Sequence, residues 1–182
     1  MPTDTNRRFL SVEPLPTYEP TIGRWLWTLE DTRCETKMAL ANIDQSVLDW
    51  TPSQAENSIG TLLYHIGRIE LDWLYVEALE NAPWPQELKE LFPIEDRDAQ
   101  HVLSVVGNVS LAKHLRRLDI LREHLLASIR SMSLEEFHRP RNFPDYDVTP
   151  EWVLHHLIQH EVEHRGHIQM LRSLAERALE AL

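Results

Sequence analysis

Two histidines near the end of the chain occupy positions where a helix would otherwise bury aliphatic side chains. His160 and His164 continue a stripe with helical spacing that runs from Val153 and Leu157 to Ile168. A separation of four residues places both imidazoles on one face with their Cβ atoms ~6 Å apart, which suits two nitrogens on one metal ion. A buried imidazole needs a partner for each nitrogen, and a metal on one with a hydrogen-bond acceptor on the other would satisfy both.

A third histidine, His65, interrupts the apolar stripe of another predicted helix, between Leu62 and Ile69. Together with the pair on the last helix it would give three neutral ligands, which leave coordination positions free for water or substrate, as in a catalytic site. An alternative stays open, because the chain has 10 histidines and hydrogen-bonded core histidines or a His-rich surface helix would give the same pattern. Four further histidines are expected at the surface: His101, His114, His124 and His138.

The last helix also matches the zinc-protease pattern HExxH, from His160 to His164. In that pattern the glutamate after the first histidine is a general base, so Glu161 is a candidate catalytic residue. Glu163 is a second candidate, which could orient a ligand or move a proton, although both glutamates could equally be solvated charges of the helix. A protease is disfavoured, because the extended motif needs a histidine where Gln169 or Met170 stands and because no strand is evident to hold a peptide.

Four amphipathic segments would position these residues, and they predict an all-α fold, a four-helix bundle. Their predicted starts are turn and cap residues: Thr21, Asn57 or Ser58, Asn108 or Ser110, and Thr149 followed by Pro150. The connections are a proline-containing loop over 81–98, a short helical turn over 99–106, and a loop or small hairpin over 133–148. Residues 1–20 are predicted to form an extended leader before a single domain over residues 21–182.

Two polar residues, Arg33 and Thr36, fall on the apolar stripe of the first predicted helix. They would line an internal pocket if the register is right. Otherwise the register is misassigned, or the Arg33 side chain extends along apolar surface to reach solvent.

The overall composition disfavours several classes of function. The chain carries 18 Lys and Arg against 29 Asp and Glu, a net charge of -11, and such a surface repels nucleic-acid backbones. The single cysteine, Cys34, allows neither an internal disulfide nor a CxxC motif, and we expect a small core or surface residue rather than a nucleophile. We find no signal peptide and no stretch of ~18 apolar residues, which predicts a cytoplasmic protein.

Two segments resemble motifs of the DinB-like (DinB/YfiT-like) superfamily. Residues 57–66, Asn-Ser-Ile-Gly-Thr-Leu-Leu-Tyr-His-Ile, resemble its second-helix motif, which is usually preceded by a Trp and a Pro, as in Trp50-Thr51-Pro52. Residues 152–168 resemble its last-helix motif, which ends in His-Arg-Gly-Gln. The chain departs from that motif twice, with His167 in place of the Gln and Glu163 where a His often stands. The likeness covers residues 20–178.

The resemblance implies an up-down-down-up four-helix bundle, often a dimer. It implies a divalent metal, commonly nickel or zinc, on three histidines that fall here on His65, His160 and His164. A fourth histidine that is frequent in the family falls on His156, as an extra ligand or as a partner of one.

Relatives of this kind include S-transferases and isomerases that use low-molecular-weight thiols, and metal-dependent hydrolases. The resemblance therefore implies a metal-dependent hydrolase or thiol S-transferase that acts on a small molecule, with a coordinated water or thiolate as nucleophile. The alternative is a non-catalytic, metal-stabilised bundle that serves as a ligand-binding or stress-response protein.

Overall fold

The computed structural model describes residues 8–53 and 56–181, and most of them are helical. In chain order the elements are α1 (Pro20–Ala39), α2 (Gln45–Leu48), α3 (Ile59–Asp72), a π-helical turn (Trp73–Ala78) that directly continues α3, α4 (Gln86–Leu91), α5 (Leu111–Arg130), α6 (Leu134–His138), β1 (Arg141–Asn142), β2 (Asp147–Val148) and α7 (Pro150–Glu180). The two strands pair antiparallel as one small hairpin. The predicted all-α class is confirmed.

The four long helices α1, α3, α5 and α7 pack into a bundle around an aliphatic core. α7 contacts both α1 and α3, and α3 also contacts α5. One part of the core gathers around Leu26, Leu71 and Leu157, and a second part around Leu63 and Ile168. Because α3 and α7 share both parts, side chains on their facing surfaces are brought together along most of their length.

Hydroxyl caps begin three of the long helices, as the sequence predicts. The side chains of Ser58, Ser110 and Thr149 each accept a hydrogen bond from the backbone N–H three residues later. Pro150 follows the Thr149 cap at the first helical position, where its missing N–H costs nothing. α1 starts two residues earlier than predicted, because Glu19 rather than Thr21 caps it.

One charged residue from each of the four long helices meets in the interior: Arg33, Glu70, Arg122 and Glu161, which we name the ion-pair cluster. Arg33 Nη2 lies 2.7 Å from Glu70 Oε2, and Arg33 Nε lies 2.7 Å from Glu161 Oε1. Arg122 Nε lies 2.8 Å from Glu70 Oε1, and all four side chains are at most 4% exposed. Arg33 therefore does not line a pocket, and the helical register predicted for α1 is correct. Its charge is tolerated in the interior because Glu70 and Glu161 both pair with it.

The pKa values in the cluster follow from its pairing. Burial by itself raises the pKa of the Glu70 carboxyl, but the Arg122 and Arg33 guanidiniums outweigh burial and hold this pKa below its usual value. Glu70 is therefore charged at neutral pH, and the cluster is a network of ions rather than of neutral hydrogen-bonding groups.

The connecting segments agree only in part with the sequence prediction. The hairpin expected within 133–148 is present, with α6 before it. The helical turn expected over 99–106 is wrong, because these residues form a loop closed by one bridge between Arg97 and Leu103. The expected loop over 81–98 contains the short helix α4, which follows Pro85 and buries Leu88.

The leader lies against the bundle over its described part. Residues 8–19 contain no helix or strand, and the predicted residues 1–7 lie outside the described range. Leu15 N donates to Gly23 O on α1, and the Tyr18 hydroxyl donates to Leu126 O on α5 at 3.2 Å. Among the described residues, no helix is both long enough and apolar enough to cross a membrane.

The expected surface position of His114 is wrong, because this ring is only 1% exposed. It lies on α5 with Nδ1 3.4 Å from Arg117 Nη1, and its Nε2 is buried without a partner among the described residues. Burial, and then the positive charge of Arg117, lower the pKa of His114 from 6.5 to about 4.

Replacement of His114 by Gln should reduce the loss of unfolding free energy that occurs as the pH is lowered below 6.5. The unfolded chain binds a proton near pH 6.5 and the folded chain only near pH 4, so the neutral ring's contribution is present above pH 6.5 and is lost as the pH falls towards 4. For each unit by which the pH is lowered in that window, the unfolding free energy of the wild type should fall by up to about 1.4 kcal/mol more than that of H114Q. Urea unfolding at pH 4.5 to 7.5 measures this difference. H138Q, at an exposed ring, is the control, and equal acid slopes for H114Q and the wild type would contradict the prediction.

Candidate metal centre

α3 and α7 bring His65, His160 and His164 to one point. His160 Nε2 lies 3.1 Å from His65 Nε2 and 3.1 Å from His164 Nε2. The candidate ligand nitrogens of the three rings all lie within 4.8 Å of one another. With metal–nitrogen bonds of ~2.0–2.1 Å, two ligands of one tetrahedral ion stand ~3.4 Å apart, so the observed separations suit a shared ion.

The protons on these rings do not account for both short contacts. A neutral imidazole carries one N–H, so the Nε2–H of His160 could point at one neighbouring nitrogen but not squarely at both. If His160 Nε2 is bare instead, each neighbour would have to aim its own Nε2–H at the same lone pair. A cation at the centre would accept all three lone pairs at once, and the donor set therefore fits a divalent ion.

Asp96 fixes the orientation of His65. The Asp96 Oδ1 atom lies 2.7 Å from His65 Nδ1, and both side chains are largely buried. A carboxylate at that distance accepts the Nδ1–H, which leaves the Nε2 lone pair directed at the other two histidines. Carboxylate partners of this kind orient metal-binding histidines and raise their basicity.

Replacement of Asp96 by Asn should weaken metal binding about 10- to 100-fold, because the amide no longer holds the Nδ1–H of His65 with a charge. Competition with a metal-binding dye measures the change in Kd. E95Q is the matched control, since Glu95 is the neighbouring residue and its side chain is 88% exposed. An unchanged Kd for D96N would show that Asp96 has no part in orienting His65.

The surroundings keep the α7 histidines neutral. Burial, followed by the His164 and His65 rings, lowers the pKa of His160 to about 3. Burial, followed by His65 and His167, lowers the pKa of His164 to about 4. Only a neutral imidazole offers a lone pair to a metal, so both rings are in their binding form throughout the neutral pH range.

The structure does not bring Glu161 to the three imidazoles in a position to act as a base. Its carboxylate is 2% exposed and belongs to the ion-pair cluster, with Oε1 bound to Arg33 and Oε2 3.4 Å from Arg122 Nη2. In a zinc protease the equivalent glutamate faces the metal's open position, so the HExxH match carries no protease geometry here. Glu163 is exposed on α7, and its charge opposes the lowering of the His164 pKa.

Two further histidines flank the three. The His156 ring stacks on Trp152 at 5.2 Å between centroids and lies 4.4 Å from Trp73, whereas it stands 5.9 Å from His160. His156 is therefore part of an aromatic layer beside the centre and not one of the converging ligands. His167 is exposed, with its ring centroid 5.4 Å from that of His164.

Sequence patterns did not single out Asp96 or Trp73. Asp96 lies in the connection after α4, and its contact with His65 spans 31 residues. The one available signal was general, namely that a ligand histidine needs an acceptor for its second nitrogen. Trp73 contacts Trp152 and His156, and these contacts depend on how α7 packs against the π-helical turn, which no pattern within one helix shows.

Comparison with known proteins identifies the family. The model of the DinB superfamily matches residues 28–168. Two proteins of Bacillus subtilis (strain 168) are similar: YuaE is 27% identical over 157 residues, covering 81% of this chain and 97% of YuaE, and YkkA is 20% identical over 154 residues, covering 84% and 87%. Both are described as uncharacterized.

A crystal structure of a conserved protein from Enterococcus faecalis has a similar fold, with a TM-score of 0.63 and 20% identity, over 83% of this chain and 94% of that one. At that identity the likeness concerns the fold alone. The family match spans α3 and the histidines of α7, the two elements that carry the converging imidazoles. This chain belongs to the DinB superfamily.

Proposed function

We propose that this protein is a metal-dependent enzyme that acts on a small molecule, as a hydrolase or a thiol S-transferase. The observation that carries the proposal is the convergence of three imidazoles from two helices, with the His160 Nε2 atom 3.1 Å from the Nε2 atom of each of the other two. Three protein ligands leave room for a further one, which is the arrangement of catalytic rather than structural sites. We propose nickel or zinc as the ion, since both are bound well by imidazole.

The chain's own residues would hold and orient the reactants. His65, His160 and His164 bind the ion, Asp96 sets the tautomer of His65, and the ion-pair cluster fixes the rotation of α7 through Glu161. When bound, the ion supplies Lewis acidity and lowers the pKa of a coordinated water or thiol towards neutrality. We assign Glu161 to positioning, and Glu163 remains the candidate for moving a proton because it is exposed close to His164.

The experiment is a turnover screen with the ion present and removed. Untagged protein is analysed for bound metals, stripped with a chelator, and reloaded with nickel or zinc. Each form is then assayed for ester hydrolysis and for transfer of low-molecular-weight thiols to electrophilic substrates. We expect turnover only in a loaded form, with loss of turnover in H160A and retention in H138A. Stoichiometric metal without turnover in either assay would count against the enzyme.

A second function is favoured by one feature of the site. The three ligands join α3 to α7, so an ion there would cross-link the bundle in the manner of a structural staple. A non-catalytic, metal-stabilised protein that binds a ligand or serves in a stress response would show a lower melting temperature after chelation and no turnover in either assay. An enzyme would lose turnover after chelation whatever happens to its melting temperature.

Two further properties are predictions from the sequence. These are a homodimer and a cytoplasmic location. Sedimentation of the purified chain would test the first, and fractionation of cells would test the second.

A further inference from the structure

A cleft opens beside the metal centre, where the π-helical turn, the hairpin and the start of α7 meet. It has a volume of about 500 Å³ and is lined by Trp73, Tyr146, Asp147, Val148, Thr149 and Trp152. Half of these residues are aromatic, one is acidic, and none of the six is basic. The cleft therefore combines ring surface with negative charge.

The aromatic rings of the cleft are unusually open to solvent. Trp152 is 46% exposed and Tyr146 is 45% exposed, although large aromatic side chains stabilise a fold mostly when they are buried. The Trp73 and Trp152 rings are tilted by 42° with centroids 5.2 Å apart, so they form an angled wall. Exposed aromatic surface of this kind, arranged around a concavity, is how proteins recognise organic ammonium groups.

A buried carboxylate lies beside the cleft, in contact with the Tyr146 hydroxyl. Glu77 is 9% exposed, and its Oε1 accepts a hydrogen bond from the Tyr146 hydroxyl at 3.0 Å. Its Oε2 is buried and has no hydrogen-bond partner among the described residues. Burial raises the pKa of Glu77 above its usual value. An unpaired buried carboxylate oxygen is costly, and a neighbouring cation would offset that cost.

The start of α7 does not counter this negative charge. Helix N-termini attract anions through free N–H groups. Here Pro150 contributes no N–H, and Thr149 Oγ1 already accepts from Trp152 N at 3.1 Å. Glu151 in the first turn adds a further negative charge. The protein as a whole, at -11, would also attract cations.

We propose that this cleft binds a small organic ammonium ion, recognised by the ring surfaces of Trp73, Trp152 and Tyr146 and by the carboxylates of Asp147 and Glu77. The cleft is connected to the candidate metal centre through His156, because Trp73 and Trp152 both contact the His156 ring, which lies 5.9 Å from the His160 ring. The binding of the ammonium is independent of the proposed enzyme. If the bound ammonium ion is the substrate, its reacting end would reach the metal, and this further step rests on the proposed function.

The test compares choline with its neutral analogue of the same shape, 3,3-dimethylbutan-1-ol, by calorimetric titration of the full chain. We expect choline to bind at least about tenfold more tightly than the alcohol, because only the cation interacts with ring faces and carboxylates. W152L and E77Q should each weaken choline binding at least about fivefold. W27L, at a half-buried tryptophan of α1, is the matched control and should bind as the wild type does.

Three results would overturn the proposal. These are equal affinities for choline and the alcohol, no choline binding in the tens of millimolar, and equal losses in W152L and W27L. Because Trp152 is half exposed, W152L keeps the test valid even if E77Q does not fold. The titration is repeated on H160A, which should not bind the metal. Choline binding by H160A would show that the cleft works even if the proposed enzyme activity is absent.

Discussion

Replacement of Glu70 by Ala should lower the free energy of unfolding by about 3–5 kcal/mol, the usual cost of leaving a buried charge without its partner. Glu70 is the carboxylate that contacts both arginines of the ion-pair cluster, through Arg33 Nη2 at 2.7 Å and Arg122 Nε at 2.8 Å. Its removal leaves two guanidiniums, each 4% exposed, with Glu161 as the one remaining carboxylate of the cluster, while Arg122 Nη1 keeps the partly exposed Glu30 at 2.7 Å. A typical domain has only about 5–15 kcal/mol of stability, so E70A should unfold at much lower urea concentrations.

A surface ion pair of the same length provides the control. Lys37 Nζ lies 2.6 Å from Asp119 Oδ1, which is as short as the contacts of Glu70, but the two side chains are 39% and 46% exposed. Solvent screens such a pair, and D119A should cost no more than about 1 kcal/mol. Urea unfolding of both variants at pH 7 measures the contrast. Similar losses for E70A and D119A would mean that burial does not set the strength of the cluster.

The ion-pair cluster also orients the helix that carries two of the three histidines of the candidate metal centre. Glu161 follows His160 directly in α7, and its two oxygens are held by arginines from α1 and α5. Rotation of α7 about its axis would break these ion pairs and would turn His160 and His164 away from His65. The cluster therefore fixes the orientation of α7 about its own axis and directs His160 and His164 towards His65. Burial of its four charges costs desolvation energy, which the ion pairs offset.

The three histidines were predictable from the sequence because helical periodicity decides which residues share a face. His160 and His164 stand four residues apart in an aliphatic stripe, and His65 interrupts another stripe. The resemblance to a known family selected the same three residues. The hydroxyl caps of α3, α5 and α7 were also predictable, because a cap is a contact between residues three apart.

The partners of these residues were not predictable, because they depend on contacts between distant segments. The Glu161 carboxylate reads as an HExxH base from its neighbours alone, but its contact with Arg33 spans 128 residues. Asp96 reaches His65 from a loop whose path no periodicity describes. The burial of His114 likewise depends on the loop before α5, since the Val106 carbonyl and the His114 ring lie against the same surface of Gly60.

Replacement of His160 by Ala should abolish stoichiometric metal binding, with a loss of affinity greater than the roughly 100-fold that removal of a supporting group causes. His160 is the central ligand, because its Nε2 lies 3.1 Å from each of the other two. The variant leaves two imidazoles, which would hold an ion weakly. Elemental analysis after dialysis and competition with a metal-binding dye measure the loss.

The fold of H160A should persist, which makes its metal content informative. The His160 ring is only half-buried, so its truncation leaves a small cavity at the edge of the core and costs little stability. H138A, at an exposed histidine of α6, should bind metal as the wild type does. If H160A keeps one tightly bound ion per chain with a native circular-dichroism spectrum, the ion sits elsewhere, and the three imidazoles are hydrogen-bonded core residues instead.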